Sequence, residues 1–399
     1  MLRKLRSFGG KTLQNILRPF DLEIGHISER AQRLDAHRRA EAVSLLQLRN
    51  ADAELQAARL QLARQKPRSA AAQNYIDRQS LILLPRLFAC LAPEERFVII
   101  DGGAREMELD FRWRPFPRER LRFFGFEADA GEAARLTGLL KASGLDCRLY
   151  PAALGGTSGK AVFAHNKASG GSLLLPQNRT VTDRWKFENP HQVSFAREMF
   201  FPTHSEEITV TTFADWARET GTAEVDFIKL NVQGAELDIL KAGGKALDTA
   251  LGLLVEVAFV ESYLGRPMFS DIDPFLRGAG FTFFDLLAHH YIGRGDAPIA
   301  MQQLTIVEPA LSKQVSAGGQ LIEGHALYLR DPIADSRLPL APSRVLKLAA
   351  LAEAFGQVEY AFELLSWLGT RDDVRATEWV SVLDRVLREA AMEYETYRP

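Results

Sequence analysis

Phe97-Val98-Ile99-Ile100 is a short apolar run that ends abruptly in Asp101-Gly102-Gly103. Four apolar residues closed by an acid and two glycines predict a strand buried on both faces that feeds a tight turn. Comparable runs occur at Leu121–Phe126, Cys147–Tyr150, Ala161–Ala164, Val225–Leu230, Leu251–Val257, Phe281–Leu286 and Ala326–Arg330. Between several of them the apolar positions recur every three or four residues, which predicts helices over Ala130–Ser143, Thr212–Thr220, Ala235–Ala242 and Ile272–Gly278. Buried strands alternating with helices predict an α/β fold: a doubly wound, mostly parallel sheet with helices on both faces, spanning residues 96–332.

The flanks follow other patterns. Residues 27–66 lack Gly and Pro and are rich in Ala, Leu, Arg and Gln, which predicts one long helix. Leu34, Leu48, Leu55 and Leu62 lie on one heptad series, with Glu41 the polar exception, and Ala51 and Ala58 extend a thin seam in the second half only. That pattern suits a single amphipathic helix and is also compatible with a short coiled coil, hence a homo-oligomer. Residues 67–95 read as a linker and a leading helix from Tyr75 to Leu91, interrupted at Pro85. Residues 333–399 read as a proline-bearing linker followed by helices from Ser343 to about Thr396, either a cap on the body or a helix pair at an interface. Residues 1–26 form a basic arm. Its first 20 residues hold five basic side chains and no acid, interleaved with Leu2, Leu5, Phe8 and Leu13 and broken by Gly9-Gly10. A solvated arm packing on the body is the simpler reading, and weak peripheral contact with an anionic membrane the other.

Composition narrows the function classes. With 46% hydrophobic and 25% charged residues over 399 positions, wholesale disorder and fibrous repeats are excluded. A net charge of −2 provides no global field for nucleic acid. Two cysteines, Cys90 and Cys147, exclude a disulfide scaffold and fit a reducing compartment. No apolar run reaches the ~18 residues of a spanning helix, so a cytoplasmic location is expected.

Ligands of doubly wound sheets sit at the carboxyl ends of the strands. Three segments occupy such places. In Asp101-Gly102-Gly103-Ala104-Arg105, small residues allow close backbone approach to a ligand, with an acid beside them. Glu127, 26 residues after Asp101, closes the second strand, where a carboxylate can accept from both hydroxyls of a ribose. Glu127 and Asp129 also suit the simpler role of acids at a helix N-terminus, and the two readings can hold for one acid each. The third segment, Asp226 to Glu236, places Lys229, Asn231 and Gln233 in alternation on one face. Such groups are costly to bury alone, so a ligand or a structural network is expected around them. Glu256 closes an apolar strand and is the acid best placed for proton transfer. Glu261, His165, His204 and the pair His289-His290 are weaker candidates. No metal-ligand spacing, Gly-x-Ser-x-Gly turn, Walker loop or Gly-x-Gly-x-x-Gly fingerprint occurs. An NAD enzyme on the same sheet is disfavoured by that last absence. Trp113 and Trp185 suit packing better than the lining of a sugar site.

Together these segments resemble the FkbM family of S-adenosylmethionine-dependent methyltransferases over about residues 96–332. Ile100 to Arg105 is similar to the family's cofactor loop, Arg112-Trp113-Arg114-Pro115 with Gly125 to Asp129 to a subgroup's second-strand region, and Ala152-Ala153-Leu154-Gly155 to the turn beside the adenine. Gly170-Gly171-Ser172-Leu173 with Pro176, the segment Asp226 to Leu240 and the closing strand Gly324 to Asp331 extend the likeness in order. The resemblance implies a Rossmann-like sheet of the seven-stranded type and S-adenosylmethionine as cofactor. It implies an O-methyltransferase, with a sugar, glycan or other hydroxylated small metabolite as acceptor. The cofactor would then meet Asp101, Gly102, Gly103, Ala104, Glu127, Ala152, Ala153 and Asn231, and the chemistry would fall to Lys229, Asn231 and Glu256, with no metal.

Two positions depart from the family pattern. Glu106 and Met107 stand where a further Gly is usual, and Asn231 stands where Asp is usual, whereas Gln233 is a familiar alternative to Glu. An amide keeps the hydrogen-bonding shape of a carboxylate but cannot act as a base or bring charge to a metal. Either the base comes from elsewhere, or the chain is a silent methyltransferase-like scaffold assembled through residues 27–66 and 343–396.

Overall fold

The computed structural model describes residues 81–396 apart from 105–110, 143, 167–174, 190–191, 196–201, 223, 295–304, 307–318, 337, 376 and 378. The basic arm, the 27–66 helix with its coiled-coil seam, Arg105, Glu106, Met107 and the Gly170–Leu173 stretch lie outside the described residues. In chain order the strands are β1 (Phe97–Gly102), β2 (Leu121–Phe126), β3 (Asp146–Tyr150), β4 (Ala153–Leu154), β5 (Gly159–Asn166), β6 (Trp185–Asn189), β7 (Gln192–Phe195), β8 (Pro202–Thr211), β9 (Phe227–Leu230), β10 (Gly252–Ala258), β11 (Phe281–Arg294), β12 (Thr305–Ile306) and β13 (Gln320–Arg330). The α-helices are α1 (Leu83–Cys90), α2 (Ala130–Ala142), α3 (Arg179–Thr182), α4 (Phe213–Thr220), α5 (Glu236–Lys241), α6 (Gly244–Thr249), α7 (Phe269–Gly278), α8 (Pro342–Ala354), α9 (Val358–Thr370), α10 (Asp372–Arg375) and α11 (Trp379–Thr396).

The main sheet runs β3-β2-β1-β9-β10-β13-β11-β6-β7, with β12 pairing β11. Strands β3, β2, β1, β9 and β10 are parallel, and β13 and β11 run against them. This is the expected mostly parallel α/β sheet. The chain steps from β1 outward to β2 and β3, then returns to the other side of β1 with β9. The carboxyl end of β1 is therefore the point where strand order reverses, the usual ligand position of such sheets.

Alternation along the central strands separates two cores. Phe97, Ile99, Phe227, Leu254, Leu327 and Leu329 face one way, against α1, α8, α9 and α11. Ile100, Ile228, Leu230, Leu253, Val255, Ala326 and Tyr328 face the other way, against α4–α7. The register then decides where the polar residues go. Asp101 pairs with Lys229, and Lys229 with Leu254; two residues further toward the strand ends, Glu256 pairs with His325. Asp101, Lys229, Glu256 and His325 thus share the face of the first core, at its rim.

Helix α1 begins at Leu83, so Pro85 sits in its first turn instead of interrupting it. Proline is tolerated there because the missing N–H has no intrahelical acceptor. The N–H groups of Leu83 and Leu84, which have no acceptor within the helix, donate to the buried Glu353 carboxylate of α8 at 2.7 and 2.6 Å. At the other end Arg120 donates to the carbonyls of Phe88 (3.1 Å), Leu91 (3.3 Å), Glu95 (3.0 Å) and Ala92. Asp226 fastens α8 to the sheet, accepting from Val98 N–H at 2.9 Å, Lys347 Nζ at 3.2 Å and Arg344. The Ala161–Ala164 expectation of a buried strand is corrected. This stretch belongs to β5, in a separate sheet of order β4-β8-β5, and Val162 is 68% exposed, because one face of that ribbon meets solvent. Among the described residues no helix is long and apolar enough to cross a membrane.

Candidate functional site

The site starts at the end of β1. Asp101 is buried, and its Oδ2 accepts from Lys229 Nζ at 3.2 Å. The turn that follows is forced by its glycines. Gly103 has φ +83°, and a Cβ there would lie 2.0 Å from the Asn231 carbonyl oxygen. The close approach that glycine permits at this position is thus to the end of β9. Gly103 N–H donates to Phe126 O and Asn231 N–H to Gly102 O, both at 3.0 Å, tying the ends of β2, β1 and β9 together. Ala104 is fully buried behind the turn.

At the end of β2 the two acids take different duties. Asp129 Oδ1 accepts from the N–H groups of Gly131 and Glu132 at 2.9 and 3.0 Å and so caps α2. Glu127 is buried, and its Oε1 accepts from Asp129 N–H at 3.0 Å. A carboxylate has about four acceptor positions, so that bond is compatible with further acceptance from a diol. Ala152 is buried and Ala153 half-buried at the start of β4, beyond β3. A buried acid at the second strand, a glycine turn at the switch point and small residues past the third form a donor set that fits an adenosyl cofactor.

Beyond β9 the chain makes a strained turn: Gln233 has φ +59°, in the left-handed region. Glu236, in the first turn of α5, holds it by accepting from Val232 N–H (2.9 Å) and Gly234 N–H (2.8 Å). Gln233 Nε2 donates to Asn231 Oδ1 at 3.0 Å and to both Glu256 oxygens at 3.0 and 3.1 Å. Arg266, buried, donates to Glu256 Oε2 at 2.5 Å, to Glu323 Oε2 at 3.0 Å and to Ser262 Oγ at 3.1 Å. His290 Nδ1 donates to Glu323 Oε1 at 3.0 Å, and the Tyr263 hydroxyl donates to Gln233 Oε1 at 3.4 Å. At the end of this chain Asn231 Nδ2 lies 3.5 Å from His325 Nε2.

The electrostatics follow from burial and from this sharing of one guanidinium. Burial and the neighbouring Glu323 push the Glu256 carboxyl up, against the pull of Arg266. Glu323 is held down to about 2 in spite of burial, by His290 and Arg266. Burial, then the charges of Lys229 and His290, push the His325 imidazole down to about 3.

Of the residues expected from the sequence, Asp101, Lys229, Asn231 and Glu256 come together at one rim, and Gly102, Gly103 and Ala104 line the turn beside them. Glu127 follows β2, the strand next to that of Asp101, and Ala152 and Ala153 follow β3, one strand further out. Glu261 accepts from Gly265 N–H in a surface turn. His165 and His204 stack on each other at 4.3 Å between β5 and β8, outside this cluster. Trp113 is packed among Phe116, Phe123, Phe227 and Phe355, and Trp185 is buried. Arg266, Tyr263, Glu323 and His325 were not anticipated. Only an alternation of polar residues just before the Ala326–Arg330 run signals the last two. Among the described residues no cluster of three or more His, Cys, Asp or Glu side chains could hold a metal.

Residues 101–283 match the family model described as the Methyltransferase FkbM domain. The 2-O-methyltransferase NoeI of Sinorhizobium fredii (strain NBRC 101917 / NGR234) is 27% identical over 179 residues, covering 42% of this chain and 66% of that protein. Among solved structures, precorrin-6y C5,15-methyltransferase from Geobacter metallireducens GS-15 aligns at 9% identity with a TM-score of 0.30, over 63% of this chain and 87% of the other. A putative RNA methyltransferase, PH1948 from Pyrococcus horikoshii, aligns at 10% identity with a TM-score of 0.28, over 64% and 84%.

Proposed function

We propose, with residues 101–283 as a methyltransferase FkbM domain for premise, that the chain is an S-adenosylmethionine-dependent O-methyltransferase acting on a hydroxyl of a sugar, glycan or similar small metabolite. One observation carries this reading. The buried carboxylates Asp101 and Glu127 close neighbouring strands at the reversal of strand order, with Lys229 and Asn231 beside them on the next strand. Asp101, Gly102, Gly103 and Ala104 would hold the cofactor's backbone, Glu127 its ribose, and Ala152 and Ala153 the edge of its adenine. When bound, that cofactor supplies an electrophilic methyl group on a sulfonium. The protein's own task is then to align an acceptor oxygen and remove its proton. The name of the rhizobial relative, a 2-O-methyltransferase, supports oxygen as the atom modified.

Calorimetric titration of the full chain with S-adenosylmethionine and S-adenosylhomocysteine tests the reading, repeated on Glu127→Ala. Micromolar binding is expected. Loss of charge-assisted bonds to a ribose diol should weaken it about 10- to 100-fold in the variant. No heat with either ligand, in a chain shown to be folded, refutes the assignment. Binding without turnover on any hydroxylated acceptor favours the scaffold reading, which the amide at Asn231 motivates.

A further inference from the structure

Parallel neighbours in a doubly wound sheet are joined by crossovers, and each crossover normally lays a helix on the sheet. β2 reaches β3 through α2, and β9 reaches β10 through α5 and α6. The connection from β1 to β2 differs. It carries the proposed cofactor turn, and its described part holds two 3₁₀ turns, Phe111–Trp113 and Arg118–Arg120, and no α-helix. Right-handed connections that step in the same direction cover the same face. The connection from β1 to β2 steps as α2 does, and Leu140 of α2 belongs to the first core. On that face Phe97, Ile99, Phe227 and Leu254 are nevertheless all buried, because α8 and α9, from the far end of the chain, join them in one core. The C-terminal helices thus take the place of a crossover helix.

This substitute layer meets the returning end of the cofactor segment at one residue. Phe355, the C-cap of α8, is buried. Its ring stacks on Phe227 of β9 at 4.7 Å, meets Trp113 edge-on at 5.9 Å, and lies 5.2 Å beneath the Arg112 guanidinium. Trp113 in turn packs edge-on against Phe227 at 5.4 Å and Phe123 at 6.0 Å. Ring pairs and cation–ring contacts depend on orientation, so they fix the direction of a segment as well as its distance. At the departing end, Gly103 lies against the Asn231 carbonyl and Ala104 is buried in the same core. Both ends of the segment therefore bear on β9 and the residue after it, one through Gly103 and the other through Phe355. The charge of Arg112 is also among those that hold the His325 imidazole down, which ties this ring to the rim of the site.

We propose that Phe355 is a positioning residue for cofactor binding: its ring clamps Arg112 and Trp113 onto β9 and so holds the second end of the segment that begins at the Asp101-Gly102-Gly103 turn. This role rests on the methyltransferase reading above. Phe355 itself touches no ligand and acts through Arg112 and Trp113. The helices α8 and α9 are then a working part of the cofactor site. A residue that only packs is restored by volume, whereas one that orients a guanidinium and an indole needs its ring.

Calorimetric titration with S-adenosylhomocysteine and urea unfolding of the full chain, run side by side on three variants, test this role. Phe355→Ala should lower the urea midpoint and weaken the ligand about 5-fold or more. Leu383→Ala removes a buried side chain from α11, which packs on α9 and α1. It should lower the midpoint and leave the affinity within twofold. Phe355→Leu refills most of the volume without a ring. Its midpoint should recover most of the loss while the affinity stays about threefold weak or more. A smaller effect of Phe355→Ala on the affinity overturns the proposal. So does an affinity that recovers together with the midpoint in Phe355→Leu, and that comparison decides alone if Phe355→Ala does not fold. A loss of more than twofold in Leu383→Ala also overturns it, because the effect then follows general stability. A parent chain that binds no S-adenosylhomocysteine sinks the methyltransferase reading itself, whereas one that binds it and fails any of these comparisons sinks only the role of Phe355.

Discussion

Gly103→Ala is the substitution whose cost the structure specifies most closely. The residue has φ +83°, so alanine there incurs the left-handed penalty of about 1–2 kcal/mol. A gain of about 0.4–1 kcal/mol from a stiffer unfolded chain partly offsets it. Gly144, just after α2, has φ +74° but nothing within 4 Å of a built Cβ, so Gly144→Ala isolates that net cost of about 1 kcal/mol. At Gly103 the new methyl would in addition lie 2.0 Å from the Asn231 carbonyl oxygen, a backbone atom that cannot turn aside as a flexible side chain can. Relieving the overlap must spread β1 from β9. That adds about 1–3 kcal/mol of overpacking, and about 1 kcal/mol for each weakened bond among Asn231 N–H to Gly102 O and Gly103 N–H to Phe126 O. The expected total is about 3–6 kcal/mol, read as a shift in urea midpoint at unchanged slope. Since Asp101 and Asn231 flank the spread, S-adenosylhomocysteine affinity should fall with it. A Gly103→Ala midpoint no lower than that of Gly144→Ala would refute the argument that this glycine serves the β1–β9 contact.

Glu353→Ala leaves the N–H groups of Leu83 and Leu84 without their buried acceptor, and thermal unfolding should show a loss of about 2–4 kcal/mol; a change under 0.5 kcal/mol contradicts the capping role. Arg266→Met keeps most of the side-chain volume but strips Glu256 and Glu323 of their shared cation, so about 3–5 kcal/mol should be lost in the same assay. Glu256→Gln added to Arg266→Met should recover part of that loss, because one uncompensated charge is removed; no recovery would place the cost in packing. His325, held down to about 3 against an ordinary value near 6.5, makes stability depend on pH with a definite sign. Above 6.5 it is neutral in both folded and unfolded chains. Between 6.5 and 3 only the unfolded chain takes the proton, so this contribution drains away as pH falls. His325→Gln should flatten that part of the stability profile, measured by urea unfolding at pH 7 and pH 5, and an unchanged slope would contradict it.

How far the chain can be read without coordinates depends on how many faces of an element are buried. β1, β2, β9 and β10 are covered on both sides, so their sequences are nearly continuous apolar runs and stand out. Helices α2 and α4 are legible because their apolar residues recur on one side, and Thr212 supplies the cap of α4 by accepting from Asp215 N–H at 3.2 Å. β8 was unreadable for the opposite reason: Thr203-His204-Ser205-Glu206-Glu207 faces solvent on a ribbon, and its strand character comes from pairing with β5. β13 was read six residues short, Ala326–Arg330 against Gln320–Arg330, because Glu323 and His325, spaced by two, turn polar side chains to the rim while Ile322 and Gly324 face elsewhere. Alternation was present, but the polar members suggested a loop.

The candidate site divides along the same line. Asp101, Glu127 and Asn231 could be picked out because each closes a run of apolar residues, and Lys229 because it interrupts one, where a polar group has to be explained. The partners that give those residues a role could not. Arg266 lies ten residues after Glu256 in an irregular segment, and His325 is reached from Asn231 only through two strand pairings, β9 with β10 and β10 with β13. A departure such as Asn231 is therefore ambiguous in one dimension and definite in three. Alone, it removes a carboxylate and suggests a dead site. Placed between the Gln233 amide and the His325 ring, it exchanges an acceptor for a donor at one hydrogen-bond position, and that exchange fixes the protonation of the next group. What such a change does to a site thus depends less on the residue that changed than on the side chain facing it across the sheet.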